Sequence, residues 1–126
     1  MALDRITAEN APAPVGPYSH AVAGGSRIFL SGQIGLDPAS GEMVGDTAPE
    51  QLRQAMRNMR AVLQAAGLGM DAVAKTTIFL TSMDDYPSCN EVYAEELQGW
   101  KPARSVVEVA RLPKGALVEI EAVACR

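Results

Sequence analysis

Apolar and polar positions along this chain repeat with two different periods, and the switches between them lay out its elements. From Arg27 to Ile34, the apolar Ile28, Leu30 and Ile34 alternate with Arg27, Phe29, Ser31 and Gln33, the two-residue period of a strand. Tyr18 to Ala23 is a second strand-like run, and Gly24-Gly25-Ser26 between the two predicts a hairpin. From Leu52 onward the period lengthens. Leu52, Ala55, Met56, Met59, Val62, Leu63 and Ala66 fall on one stripe of a helix of about five turns. Thr47-Ala48-Pro49-Glu50 is the capping box that starts it, and Gly67 is its expected end. Val73 to Thr81 is rich in β-branched residues and predicts a strand. Tyr86, Cys89, Val92, Tyr93 and Leu97 share one face of a second helix, which starts near Ser82–Asp85 and stops at Gly99 and Pro102.

The last stretch, Lys101 to Cys125, predicts two more strands joined by a Leu-Pro-Lys-Gly turn. On the second of them Val118, Ile120, Ala122 and Ala124 form an unbroken apolar face. The opposite face carries Leu117, Glu119, Glu121, Val123 and Cys125. On the first, Ser105, Val107 and Val109 point one way and Arg104, Val106 and Glu108 the other. Taking the two strands as neighbours puts Arg104 and Glu119 on one mixed face. Unpaired charges do not belong in a dry core, and Val106, Leu117 and Val123 gain nothing from solvent, so a mixed face of this kind predicts a subunit interface holding a polar site.

The element order is therefore β-β-α-β-α-β-β. One sheet face is apolar throughout, so both helices must cover it, giving a single two-layer α+β domain over residues 1–126 with its second face bare. The helices cross between strands, which makes some pairings parallel and the hairpins antiparallel. A bare mixed face favours oligomerisation. Residues 8–17 (AENAPAPVGP) should run extended over the surface.

Composition removes several classes. A net charge of −4 with no basic block leaves no electrostatic footprint for nucleic acid. No apolar run approaches the length of a membrane span, and the N-terminus has no secretory h-region, so a cytoplasmic protein is expected. Cys89 and Cys125 have no metal-type spacing. Cys89 reads as core and Cys125 as a small buried hydrophobe. His20 has no partner cluster and reads as a packed or surface residue rather than a catalyst. No phosphate loop, dinucleotide fingerprint, HExxH, nucleophile elbow or CxxC is present.

The candidate chemistry is then Arg104 with the acids. An arginine at the start of a strand grips a carboxylate with two parallel hydrogen bonds. A structural salt bridge to a neighbouring glutamate fits the spacing equally well. Gly32, inside a strand, reads either as a bulge or as a point of close backbone approach.

The segment PARSVVEVARLPKGALVEIEA closely resembles the C-terminal signature of the reactive intermediate deaminases, the RidA or YjgF-type proteins. APAPVGPYSHAV, LSGQIGLDP, QLRQAMRNMRAVLQAAG and KTTIFLTSMDDYPSCNEVYAE extend the resemblance over all but the first ten or so residues. It implies a chorismate-mutase-like fold, a homotrimer with a barrel-like core of sheets, and three sites between subunits. It implies hydrolysis of enamine/imine intermediates such as 2-aminoacrylate and 2-iminobutyrate to 2-oxo acids and ammonia, with no cofactor and no metal. By the same resemblance Arg104 binds the substrate carboxylate and Glu119 positions water. Tyr18 and Asn90 line the pocket, and the backbone at Ser31 and Gly32 contacts the ligand. Val106 stands where many bacterial members have a cysteine, which puts thiol-dependent regulation there in doubt. The other readings are a non-catalytic trimer that binds 2-oxo acids, a ribonuclease or translation inhibitor, and a chaperone.

Overall fold

The structure is a computed structural model and describes residues 2–126. One six-stranded mixed sheet is covered on one face by two helices, α1 (Ala48–Ala65) and α2 (Tyr86–Leu97). The strands are β1 (Leu3–Ile6), β2 (Ala21–Gly24), β3 (Arg27–Gln33), β4 (Val73–Leu80), β5 (Ala103–Glu108) and β6 (Val118–Cys125), arranged β1-β2-β3-β6-β4-β5. The α+β class, the mixed sheet and the shared helix face agree with the sequence reading. β1 adds a strand, antiparallel to β2, that the reading did not contain. Its four residues are mostly exposed, so no apolar alternation announced it.

The expected hairpin between the last two strands is not formed. β6 inserts between β3 and β4, antiparallel to both, and β4 separates it from β5. β5 instead pairs in parallel with β4 and forms an edge of the sheet. The chain crosses the end of β4 between the two. Val109 N–H donates to Leu80 O at 2.8 Å, and Thr81 N–H donates to Leu117 O at 3.1 Å.

α1 begins as its sequence predicts. Thr47 Oγ1 accepts the Glu50 N–H at 3.4 Å and donates its own proton to Glu50 Oε1 at 2.7 Å, so the box closes through the hydroxyl. Leu52, Ala55, Met56, Met59, Val62 and Leu63 are fully buried. They pack on Ile28, Ile78, Leu80, Val118 and Ile120 of the sheet and on Val92 and Leu97 of α2. Burying a large aliphatic side chain contributes about 1.5–3 kcal/mol, so this layer contact is the dominant stabilising term. α2 follows a short 3₁₀ turn at Met83–Asp85, and its expected face holds: Cys89, Val92, Tyr93 and Leu97 are buried. Glu96 is buried as well, its carboxylate facing Arg53 at 3.0 Å, Arg60 at 3.5 Å and Arg57 at 3.7 Å of α1. The sheet's other face is open, with Phe29 49% and Val107 40% exposed.

Candidate functional site

The bulge expected at Gly32 is present. Leu30 pairs with Ala122 and Gln33 with Ile120, so three steps along β3 match two along β6. Ser31 and Gly32 occupy that irregularity. Ser31 N–H donates to His20 O at 3.0 Å, and Ser31 Oγ donates to Ser19 O at 2.6 Å, tying the bulge to the segment that precedes β2. The close-approach reading of Gly32 holds too. A Cβ built there would lie 2.8 Å from Glu119 Cδ, so the missing side chain is what lets the Glu119 carboxylate lie across the bulge.

A pocket of about 420 Å³ opens beside these residues on the bare side of the sheet. Glu119, Glu121, Ser31, Gly32, Tyr18 and Val15 are among its lining residues. Tyr18 is 46% exposed, and its hydroxyl accepts the Val15 N–H at 3.2 Å, which leaves its proton free. Burial, and then the nearby Glu121 carboxylate, push the Glu119 carboxyl above the ordinary carboxylate range. No lysine or arginine lines the pocket.

The walls are held from below. Asn58, buried on α1, donates from Nδ2 to Ile34 O at 3.2 Å and Leu36 O at 2.9 Å. Gln51 accepts the Leu117 N–H at 2.8 Å and donates to Gly45 O at 3.2 Å. His20 is buried, accepts Ala8 N–H on Nδ1 at 3.0 Å and pairs Nε2 with Pro12 O at 2.8 Å. Of the packed and surface placements the sequence left open it takes the packed one, and it straps residues 8–12 against the pocket rim.

Arg104 is elsewhere. Its β4 partner Thr76 is fully buried on the helix side and shares a 2.7 Å hydrogen bond with the Tyr93 hydroxyl. Arg104 therefore leaves β5 towards α2. Nη1 donates to Asn90 Oδ1 at 2.8 Å and Nη2 donates to the Tyr86 hydroxyl at 2.9 Å. The guanidinium carbon lies 4.9 Å from the Tyr93 ring centroid and 5.6 Å from that of Tyr86. Glu119 pairs across β4 with Phe79, on the opposite face. Placing Arg104 and Glu119 on one face of adjacent strands is thus incorrect. Within one chain they are two strands apart, roughly 10 Å across the sheet, and on opposite sides of it. Ladder partners share a face, and the registers through β4 set Arg104 with Thr76 and Ala122 on the helix side and Glu119 with Phe79 on the other. The salt bridge considered between them is absent, as is a cation beside Glu119 to hold it ionised.

The structure thus forms two clusters: Tyr18, Ser31, Gly32 and Glu119 around the pocket, and Asn90 with Arg104 at the β5 edge. Tyr86 and Tyr93 join the second cluster, although their sequence pattern marked them only as core. Each lies one helical turn from Asn90 along α2, Tyr86 four residues before it and Tyr93 three after, and that spacing was the available signal. Val106 packs partly buried against the main core, on Arg104's side of β5. Cys89 is buried, and that burial, with Asp85 nearby, pushes its thiol up to about 11. Cys125 is exposed at the end of β6, contrary to the buried position expected for it, because its parity places it on the bare face.

Residues 8–126 match the family model described as Endoribonuclease L-PSP. The chain belongs to that family, the YjgF/RidA proteins. A RutC family protein of Pyrococcus horikoshii is 50% identical over 119 residues, covering 94% of each chain. The 2-iminobutanoate/2-iminopropanoate deaminase of Mus musculus is 46% identical over 119 residues, 94% of this chain and 88% of that one. Among solved structures, the Rid family protein YyfA of Yersinia pestis superposes with a TM-score of 0.95 at 44% identity, covering 99% of this chain and all of the other. The YjgF/RidA fold is therefore the one described above, from the mixed sheet to the two helices on one face. No helix among the described residues is long and apolar enough to cross a membrane.

Proposed function

We propose that this chain is an enamine/imine deaminase, hydrolysing small 2-imino acids such as 2-iminobutyrate to 2-oxo acids and ammonia, at sites formed between copies of itself. The observation that carries the reading is the pair of incomplete half-sites. One presents an arginine fixed by Asn90 and Tyr86, a carboxylate receptor at a sheet edge. The other presents a partly desolvated carboxylate in a pocket that has no cation of its own. Packing the bare sheet faces of neighbouring copies against one another brings the edge of one to the pocket of the next, and a homotrimer does this with three equivalent sites.

Arg104 then holds the substrate carboxylate and orients its imine carbon towards Glu119. Glu119 holds a water there, and its raised basicity suits it to take that water's proton as the C–O bond forms and to return it to the nitrogen as the C–N bond breaks and ammonia leaves. Its charge also stabilises the protonated imine being attacked. Tyr18 and the backbone at Ser31 and Gly32 bound the space beside it. These substrates hydrolyse unaided, so positioning supplies most of the acceleration required.

The test generates the imine with an amino acid oxidase and traps it with semicarbazide. The protein is expected to lower the trapped fraction, and Arg104→Ala to lose that effect. Trapping unchanged by the parental protein would overturn the reading and leave a 2-oxo-acid binder. The ribonuclease reading carried by the family model's name is disfavoured, because a net charge of −4 with no basic block gives no electrostatic footprint for RNA.

A further inference from the structure

We propose that Tyr86 belongs to the carboxylate clamp: its hydroxyl holds Arg104 in its receiving orientation and offers its own proton to the same anion. The inference rests on the role given to Arg104 above. An arginine on an edge strand has a long side chain with many rotamers, and ordering it opposes ligand binding unless the protein has already done so. Here the ordering is built in. Both terminal nitrogens are engaged, one by Asn90 and one by Tyr86, and the guanidinium carbon lies over the Tyr93 ring. Of its five N–H groups, two are used in this way and the other three have no partner among the described residues.

The Tyr86 ring is itself fixed. It is the first residue of α2, partly buried against the main core, behind a 3₁₀ turn whose Ser82 side chain accepts the Asp84 N–H at 3.2 Å. Its hydroxyl therefore stands at a set position beside Nη2. A phenolic oxygen can accept one hydrogen bond while donating another. It accepts from Arg104, and its own proton has no acceptor among the described residues. A carboxylate oxygen bound at Nη2 lies within reach of that proton, so the anion meets two donors from different elements, β5 and α2.

Tyr86→Phe isolates the hydroxyl, because the ring, its packing and its stacking on Arg104 are kept. The expected result is a rise of about tenfold in the Kd for 2-oxobutyrate measured by calorimetry, with a matching rise in KM for the imine and kcat within about twofold. Thermal unfolding should stay at the parental temperature, which a merely structural role would not predict. Parental Kd and KM in the variant would overturn the proposal, as would a fall in kcat and unfolding temperature with affinity unchanged. Parental protein that binds 2-oxobutyrate but leaves imine trapping unchanged sinks the deaminase reading alone, and the Kd comparison still decides the role of Tyr86. Parental protein that fails to bind 2-oxobutyrate overturns both.

Discussion

Gly32 and Glu119 are complementary: the carboxylate of one occupies the space that any side chain on the other would fill. The obstructing atoms are the far end of a flexible side chain, so a methyl group at residue 32 should move Glu119 rather than unfold the sheet. Gly32→Ala is expected to lower kcat for imine hydrolysis by about 10–100-fold, the cost of misplacing a catalytic group. Its unfolding temperature should stay within a few degrees of the parent. Calorimetry and steady-state rates on the same preparation check both halves.

Glu121 tunes its neighbour. Burial is the larger cause of the raised Glu119 pKa, and the Glu121 charge adds to it. A water-holding carboxylate must be ionised, so activity should rise with pH through the raised pKa. Removing a like charge favours ionisation and lowers that pKa. Glu121→Gln should therefore shift the acid limb of the kcat/KM profile to lower pH, after subtraction of uncatalysed hydrolysis. An acid limb that stays in place, or moves up, would show that Glu119 does not carry it.

Phe29 tests assembly. It is half exposed in the middle of the bare sheet face, opposite Val123 in the β3–β6 ladder. Phe29→Asp puts a charge where a neighbouring copy is proposed to pack. Light scattering should then report a mass below that of the parental protein, with imine hydrolysis lost although both half-sites are intact in each chain.

Glu96 is a matter of stability. Its carboxylate is buried among three arginines that are themselves 31–56% exposed and can return to water. Glu96→Ala should cost about 1–3 kcal/mol in urea unfolding, from lost charge-assisted bonds between α1 and α2. It should leave kcat and KM unchanged below the transition.

The helix stripes, the Gly32 bulge and the bare sheet face were legible because each is a local pattern: a 3.6-residue period, an interior glycine, a strand whose outward positions are mixed. The direction of Arg104 was not, because it depends on which strand lies beside β5. Two successive strands with a turn between them look like a hairpin whether or not a third is interposed. Only the sheet order, set by burial over the whole domain, makes β4 the neighbour and turns Arg104 towards α2. Cys125 is a different case: the alternation of the last strand had already put it on the mixed face, and only the burial inferred from its small size was wrong. The buried Gln51, Asn58 and Glu96 were also missed: polar residues on the sides of a helix look solvent-facing until the partner groups that satisfy them are known.

The placement of Arg104 and Glu119 on opposite faces has a consequence at the level of inheritance. In the proposed assembly, a lesion at either residue would disable a site shared with a neighbour, while the other half-site of the damaged chain would stay sound. Two inactive variants, Arg104→Ala and Glu119→Gln, should complement each other when unfolded together and reassembled. Random mixing in a closed ring recovers about a quarter of the sites, because one interface in four joins an intact arginine to an intact glutamate. Neither variant regains activity alone. A cell carrying both alleles would therefore hold working protein that neither gene encodes.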